Sequence, residues 1–192
     1  GLAADALGKT ADARDGFELA TQSIEFRTAA FQRLAHLALR GHRWPEAAAY
    51  ARRAIEHDTN GVEARLLLAL SQRLGGDTEG AAVTREAVRN LDPLNHTAAF
   101  ERVMAEGGPG SEAERAFVGG IRNELPEQAF LEIAAWYFRL GRPTEAELVL
   151  TRAPESAEVL YWRAFLLERM SRPWRGALAR ATAASPAHVF PF

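Results

Sequence analysis

The stretch Glu127–Pro154, EQAFLEIAAWYFRLGRPTEAELVLTRAP, decides the fold. Its apolar side chains at Phe130, Ile133, Ala134, Trp136, Tyr137 and Leu140 recur mostly three and four residues apart, which puts them on one face of a helix. Gly141 supplies the permissive backbone that ends this helix, and Thr144 with Glu147 has the spacing of a capping box that starts a second one near Glu145. The second helix offers Ala146, Leu148, Val149 and Ala153 before Pro154 forbids continuation. A hairpin this small cannot bury both its faces alone, so it requires neighbours of the same kind.

The rest of the chain supplies them. A shift of 34 residues carries Gly41 onto Gly75, Ala47 onto Ala81, Asp58 onto Asp92 and Thr59 onto Pro93. Phe26–Arg40 reads as a first helix that packs through Phe31, Leu34, Ala35 and Ala38. Pro45 suits the first turn of its partner, where Ala47, Ala51 and Ala54 allow close approach. Gly61–Leu74 and Thr78–Leu91 make the next pair, closed by Asp92-Pro93. Thr97–Glu106 is helical by period, the glycine-rich turn 107–110 follows, and Ser111 with Glu114 restarts the helix by a capping box. Gly119 and Gly120 fall inside that helix, where each glycine costs about 1 kcal/mol relative to alanine; either the helix breaks there or another backbone packs against the missing side chains, and close packing is the expectation. Ser156–Met170, with Leu160, Trp162, Phe165 and Leu166, and Trp174–Ala184 form the last pair. At the other end, Ala11–Glu25 reads as a helix that turns Phe17, Leu19 and Ala20 toward its neighbours. The total is about eleven helices with no strand signal.

Phe130, Ile133, Ala134, Tyr137, Gly141 and Ala146, followed by Leu150, Ala153 and an early Pro154, resemble in order the pattern of the tetratricopeptide repeat, a helix-turn-helix unit of roughly 34 residues. The resemblance implies an all-α, right-handed superhelical solenoid of antiparallel helix pairs, read here as one repeat domain over 1–192. The units are a partial repeat 1–27, then 28–61, 62–95, an irregular 96–126, a shortened 127–157 and 158–186, with an apolar tail 187–192. Gly1 in place of a methionine, and Ala3, Ala6, Leu7 and Gly8 reading as the back part of a repeat, suggest a chain cut from something longer.

At 192 residues, 47% hydrophobic and 25% charged, the composition is that of an ordinary soluble protein. A formal net charge of −2 gives no electrostatic reason to expect nucleic acid or an anionic membrane. The absence of cysteine removes disulfides, thiolate zinc sites and cysteine nucleophiles. No run of about 18 apolar residues and no signal peptide occur, so no membrane partner is expected and a cytoplasmic setting is the default. The histidines at 36, 42, 57, 96 and 188 lack any metal-binding spacing, and His57 at a helix end suits the helix dipole. No nucleophile elbow, phosphate loop or dinucleotide fingerprint is present. Glu112, Glu114, Glu145 and Glu147 sit in first helical turns, which favour negative charge without any catalytic role. The chain therefore reads as a non-enzyme without cofactor or metal. Asn95-His96-Thr97 matches a glycosylation sequon, a common chance occurrence.

What remains is a surface for recognising a protein or peptide, including another domain of the same parent chain. In tetratricopeptide arrays the first helix of each pair lines the concave groove. By position the resemblance places Gln32, His36, Leu39, Leu66, Leu70, Phe100, Met104, Leu131, Phe138, Trp162 and Leu166 there, the alternative for each being packing between helices. Arg40, Arg73, Arg139 and Arg169 all lie in the last turn of a first helix. They read either as a guanidinium ladder for an acidic peptide or as cations that each favour a helix C-terminus. Some family members grip a C-terminal carboxylate with lysine and asparagine; the matching places are Gln32, His36, Leu67, Thr97 and Glu101, which argues against such a clamp. Two further readings stay open. The closing SPAHVFPF resembles repeat ends in bacterial proteins where a helical array follows a β-rich, sugar-processing-like domain, which would make this an accessory region of a carbohydrate-active enzyme. Open solenoid ends, with Phe190 and Phe192, would allow self-association.

Overall fold

A computed structural model describes residues 1–122 and 125–186; the expected apolar tail with Phe190 and Phe192 lies outside the described residues. Every element among the described residues is helical: α1 (Leu2–Ala6), α2 (Thr10–Ala20), α3 (Arg27–Arg40), α4 (Trp44–His57), α5 (Val62–Leu74), α6 (Thr78–Leu91), α7 (His96–Glu106), α8 (Glu112–Gly120), α9 (Pro126–Arg139), α10 (Pro143–Leu150), α11 (Ala157–Arg169) and α12 (Arg175–Ala184). The chain divides into two compact units, Gly1–Glu114 and the residues from Arg115 on, with the boundary inside α8.

The period of 34 is visible in the helices themselves, since α4 at 44–57 and α6 at 78–91 differ by that shift at both ends. Asp58 and Asp92 cap them with nearly the same backbone, φ −140° and ψ 90° against φ −141° and ψ 87°. Each aspartate side chain then accepts from the amide two residues on, that of Asn60 at 3.1 Å and of Leu94 at 3.3 Å. Such local bonds are how aspartate ends a helix and sets the turn that follows.

The first helices end alike as well. Gly8, His42, Gly76, Gly141 and Ser171 have positive φ, each two residues beyond the last helical residue of α1, α3, α5, α9 and α11. The next amide in each case bonds back five residues: Lys9 to Ala4, Arg43 to Ala38, Asp77 to Gln72 and Arg142 to Tyr137 at 2.9 Å, and Arg172 to Leu167 at 2.8 Å. This is the Schellman closure, which satisfies carbonyls the helix leaves orphaned. At the α3 turn the left-handed residue is thus His42, while Gly41 keeps φ −85°.

In unit Gly1–Glu114 each helix packs on its sequence neighbours, and the first helices α3, α5 and α7 also pack in succession. Ala47, Ala48, Ala51 and Ala54 form a small-residue stripe on α4 that lets α3 and α5 come close, and Ala64 and all of 66–72 on α5 are buried. In the second unit, Phe117 and Phe130 meet edge to face at 5.5 Å. Tyr137, Leu140, Leu150, Leu160 and Leu166 fill its core. Each fully buried side chain of this size contributes about 1.5–3 kcal/mol.

Three local expectations are corrected. Helix α2 stops at Ala20, not near Glu25, because the Thr21 hydroxyl donates to Glu18 O and the Arg27 guanidinium donates to Thr21 O at 2.8 Å, giving the chain an alternative to helical bonds. Its Leu19 is 67% exposed rather than turned inward, whereas Phe17 is buried. The Thr144–Glu147 capping box does not form. Pro143 occupies the first turn, so Thr144 stands one residue inside the helix; its hydroxyl donates to Met170 Sδ at 3.6 Å, and Glu147 accepts from Arg163 at 2.8 Å. Finally, no described atom lies within 4 Å of a Cβ built on Gly119 or Gly120, so no backbone packs there, and α8 ends at this pair. The Ser111 cap does form, with Ser111 Oγ accepting from the Glu114 amide at 3.1 Å.

Candidate functional site

The recognition candidates fall on the first helices α3, α5, α7, α9 and α11, and burial divides them. Leu39, Leu66, Leu70, Phe100, Leu131 and Leu166 are buried, so these six pack between helices and do not present a face to a partner. Gln32, His36, Met104, Phe138 and Trp162 are half-buried, and Arg139 and Arg169 are exposed. Helical spacing gives the face each residue shares; only the neighbouring helix decides how much of that face stays open.

In the first unit several end positions meet a side chain of the neighbouring first helix. His36 Nε2 lies 3.3 Å from Glu63 Oε1, joining α3 to α5. Arg40 pairs with Asp5 of α1. Arg73 of α5 makes a two-pronged contact with Glu101 of α7, Nε to Oε2 at 2.8 Å and Nη2 to Oε1 at 3.0 Å, and Glu101 is wholly buried. Each of these pairs links successive first helices and so helps to fix the register of the stack.

The four arginines therefore do not form one ladder. Counted from the left-handed turn residue, Arg40, Arg139 and Arg169 stand two places before His42, Gly141 and Ser171. Arg73 stands three places before Gly76, in the register of Leu39 and Phe138, about 100° further round the helix. At that place Arg73 meets the buried carboxylate of Glu101 on α7.

The second unit differs. Phe138 of α9 meets Trp162 and Phe165 of α11 edge to face, with centroids 6.3 and 5.3 Å apart, and Trp162 meets Phe165 at 5.8 Å. The Arg169 guanidinium lies 5.2 Å from the Phe165 centroid. The sequence places Phe165 only among the packing residues of its helix; its spacing of four residues from Arg169 is the signal that puts the two side chains together. All three rings are half-buried, leaving part of each open to solvent.

Titration shifts lie elsewhere. The Arg14 and Arg102 guanidinium groups are held above their ordinary value by hydrogen bonds to Glu18 and Glu106, and burial pushes the Tyr50 phenol up. Among the described residues no cluster of three or more His, Asp or Glu side chains could hold a metal ion, and no helix is long and apolar enough to cross a membrane. The Asn95 side chain caps α7, accepting from the Ala98 amide at 2.9 Å and donating to Asp92 at 3.0 Å, so the sequon asparagine is engaged. His57 stacks on Phe31 at 5.8 Å.

No family model and no curated protein sequence matches the chain. Among solved structures, a tetratricopeptide repeat protein from Parabacteroides merdae is 14% identical, with TM-score 0.51 over 96% of this chain and 90% of that one. The MamA protein is 13% identical, with TM-score 0.41 over 87% of this chain and 100% of that one. The chain shares with the first of these an all-α fold of antiparallel helix pairs, the tetratricopeptide-like solenoid.

Proposed function

We propose that this chain is a non-catalytic interaction scaffold that binds a protein or peptide segment, or another domain of its own parent protein, in the cytoplasm. The observation that carries the reading is the half-open aromatic surface of Phe138 and Trp162 on two successive first helices. Large rigid rings at a partly desolvated site are the side chains that anchor protein interfaces. The fold supports it, because stacked helix pairs leave one helix of each pair on a continuous surface.

The test is selection of binders from a phage-displayed random dodecapeptide library on immobilised protein, followed by the same selection on Phe138→Ala/Trp162→Ala. Peptides that bind the parent chain and are lost on the double variant support the scaffold reading at this surface. Enrichment of nothing above a blank surface, or of peptides indifferent to both substitutions, overturns it.

A further inference from the structure

The turns that follow α4 and α6 share one backbone and differ in one pair of residues. Gly61, before α5, has φ −64° and ψ 104°, and Asn95, at the equivalent place before α7, has φ −68° and ψ 101°. In both turns the amide at this place donates to the carbonyl of the aspartate three residues back at 3.1 Å. The later turn reads Leu94-Asn95, and the Asn95 side chain is held at both ends, donating to Asp92 and accepting from the Ala98 amide. The earlier turn reads Asn60-Gly61, a dipeptide that marks turns. Asn60 is exposed, its backbone amide donates to Asp58 Oδ1, and its side chain makes no hydrogen bond among the described residues. Of the four asparagines in the chain it is the one that precedes glycine, so no neighbouring side chain shields the amide beside its carboxamide.

We propose that Asn60 is a spontaneous deamidation site of the folded chain and that its isoaspartyl product loosens the junction between α4 and α5. The Gly61 backbone nitrogen attacks Asn60 Cγ and gives up its proton; a C–N bond forms, the bond to the side-chain nitrogen breaks, and ammonia carries the proton away. Water then opens the five-membered imide. Opening at Cγ leaves aspartate, whereas opening at the backbone carbonyl leaves a chain that runs through the side chain, one methylene longer, with a free α-carboxylate. The folded chain can react because Gly61 N lies ahead of the α5 hydrogen-bond ladder, so a single turn bond to Asp58 has to yield. The longer product does not fit the turn as built. Arg65 donates to Thr59 O at 2.6 Å and to Gly61 O at 3.1 Å, so one guanidinium spans the residue that lengthens. The aspartyl product keeps that spacing and adds only a negative charge ahead of a helix N-terminus, which the helix favours.

The whole chain is incubated in mildly alkaline buffer, folded and in parallel unfolded in guanidinium chloride, then cleaved at arginine and read by mass spectrometry. In the folded chain the peptide 54–65 is expected to exchange a side-chain NH for oxygen, at a rate within about tenfold of the unfolded one. The folded chain's peptide 90–102, which carries Asn90 and Asn95, should stay unchanged over the same period. Gly61→Thr shields the amide with a branched side chain and supplies a favoured N-cap, so it should slow the change at least tenfold. Methyl transfer from S-adenosylmethionine by an isoaspartyl carboxyl methyltransferase reports the isoaspartyl share. Thermal unfolding of the aged chain is expected at a lower midpoint than that of Asn60→Asp, which carries the aspartyl product, while aged Asn60→Gln keeps its midpoint. A peptide 54–65 that stays unmodified in the folded chain while it reacts when unfolded, or that reacts as fast in Gly61→Thr, overturns the site. Equal midpoints for the aged chain and Asn60→Asp overturn the loosened junction.

Discussion

Replacing Glu101 by glutamine tests whether the first unit is held in register by charge. Glu101 is 0% exposed, and Arg73, which grips it with two bonds, is 13% exposed. Glu101→Gln keeps the shape and an acceptor but leaves the guanidinium without its counter-charge in a desolvated place. Removing one partner of a buried pair costs about 3–5 kcal/mol, whereas an exposed pair contributes about 0–1 kcal/mol. The same assay therefore has an internal comparison: Arg40→Gln, which breaks the more exposed contact with Asp5, should cost less than about 1 kcal/mol. Against a total of about 5–15 kcal/mol for a domain, the Glu101 loss is large. Urea denaturation followed by circular dichroism at the helical band should show the midpoint of the unit containing Gly1–Glu114 fall markedly, with m little changed. The double variant Arg73→Met/Glu101→Leu should regain most of the loss, because well-packed apolar replacements of buried ion pairs are often neutral or stabilising. A Glu101→Gln loss no larger than that of Arg40→Gln would refute the reasoning, since it would mean that Arg73 is solvated in the folded chain.

Ser171 is a non-glycine residue at φ 55°. Ser171→Gly should stabilise by about 1 kcal/mol and Gly141→Ala, at φ 72°, should destabilise by a similar amount, read as opposite shifts in thermal midpoint. Gly119→Ala should stabilise by about 0.5–1 kcal/mol, because the added methyl meets no described atom; a loss instead would reveal a close approach at that position. Tyr50, held up chiefly by burial, keeps its proton more tightly folded than unfolded. Its contribution to stability is therefore complete below the ordinary phenol value near 10 and is lost as pH rises through the folded value. A difference titration at the phenolate absorption band, parent chain minus Tyr50→Phe, should place Tyr50 above that ordinary value; ionisation at or below it would contradict the burial.

What the sequence made legible is what hydrophobic spacing controls. Phe31, Leu34, Ala35 and Ala38, or Phe130, Ile133, Ala134 and Tyr137, state a helix and its buried face without reference to any partner, and the structure buries all eight. Proline and glycine punctuation located most ends to within a residue or two, because their effect is local to the backbone. Thr144 and Glu147 have capping-box spacing, but Pro143 moved the helix start forward and Arg163, sixteen residues on, claimed the Glu147 carboxylate. Leu19 obeys the helical period, yet nothing covers it. For Glu147 and Leu19 the outcome turns on groups distant in sequence, whereas for Thr144 it turns on the neighbouring Pro143.

The arginines make the same point at the candidate site and show how a register can be recovered. Counted from helix ends, Arg40, Arg73, Arg139 and Arg169 look equivalent, since fraying ends carry an uncertainty of one or two residues. Counted from the residue with positive φ, which the backbone fixes without ambiguity, Arg73 is displaced by one place and by about 100°. At its own place Arg73 is only 13% exposed, and a cation so enclosed requires an acid on the neighbouring helix, here Glu101. At the true Arg40 position, Arg139 and Arg169 face no such requirement, so nothing in the fold obliges an acid to meet them. At that place Arg40 meets Asp5 of the preceding first helix, whereas Arg139 and Arg169 are exposed on the second unit.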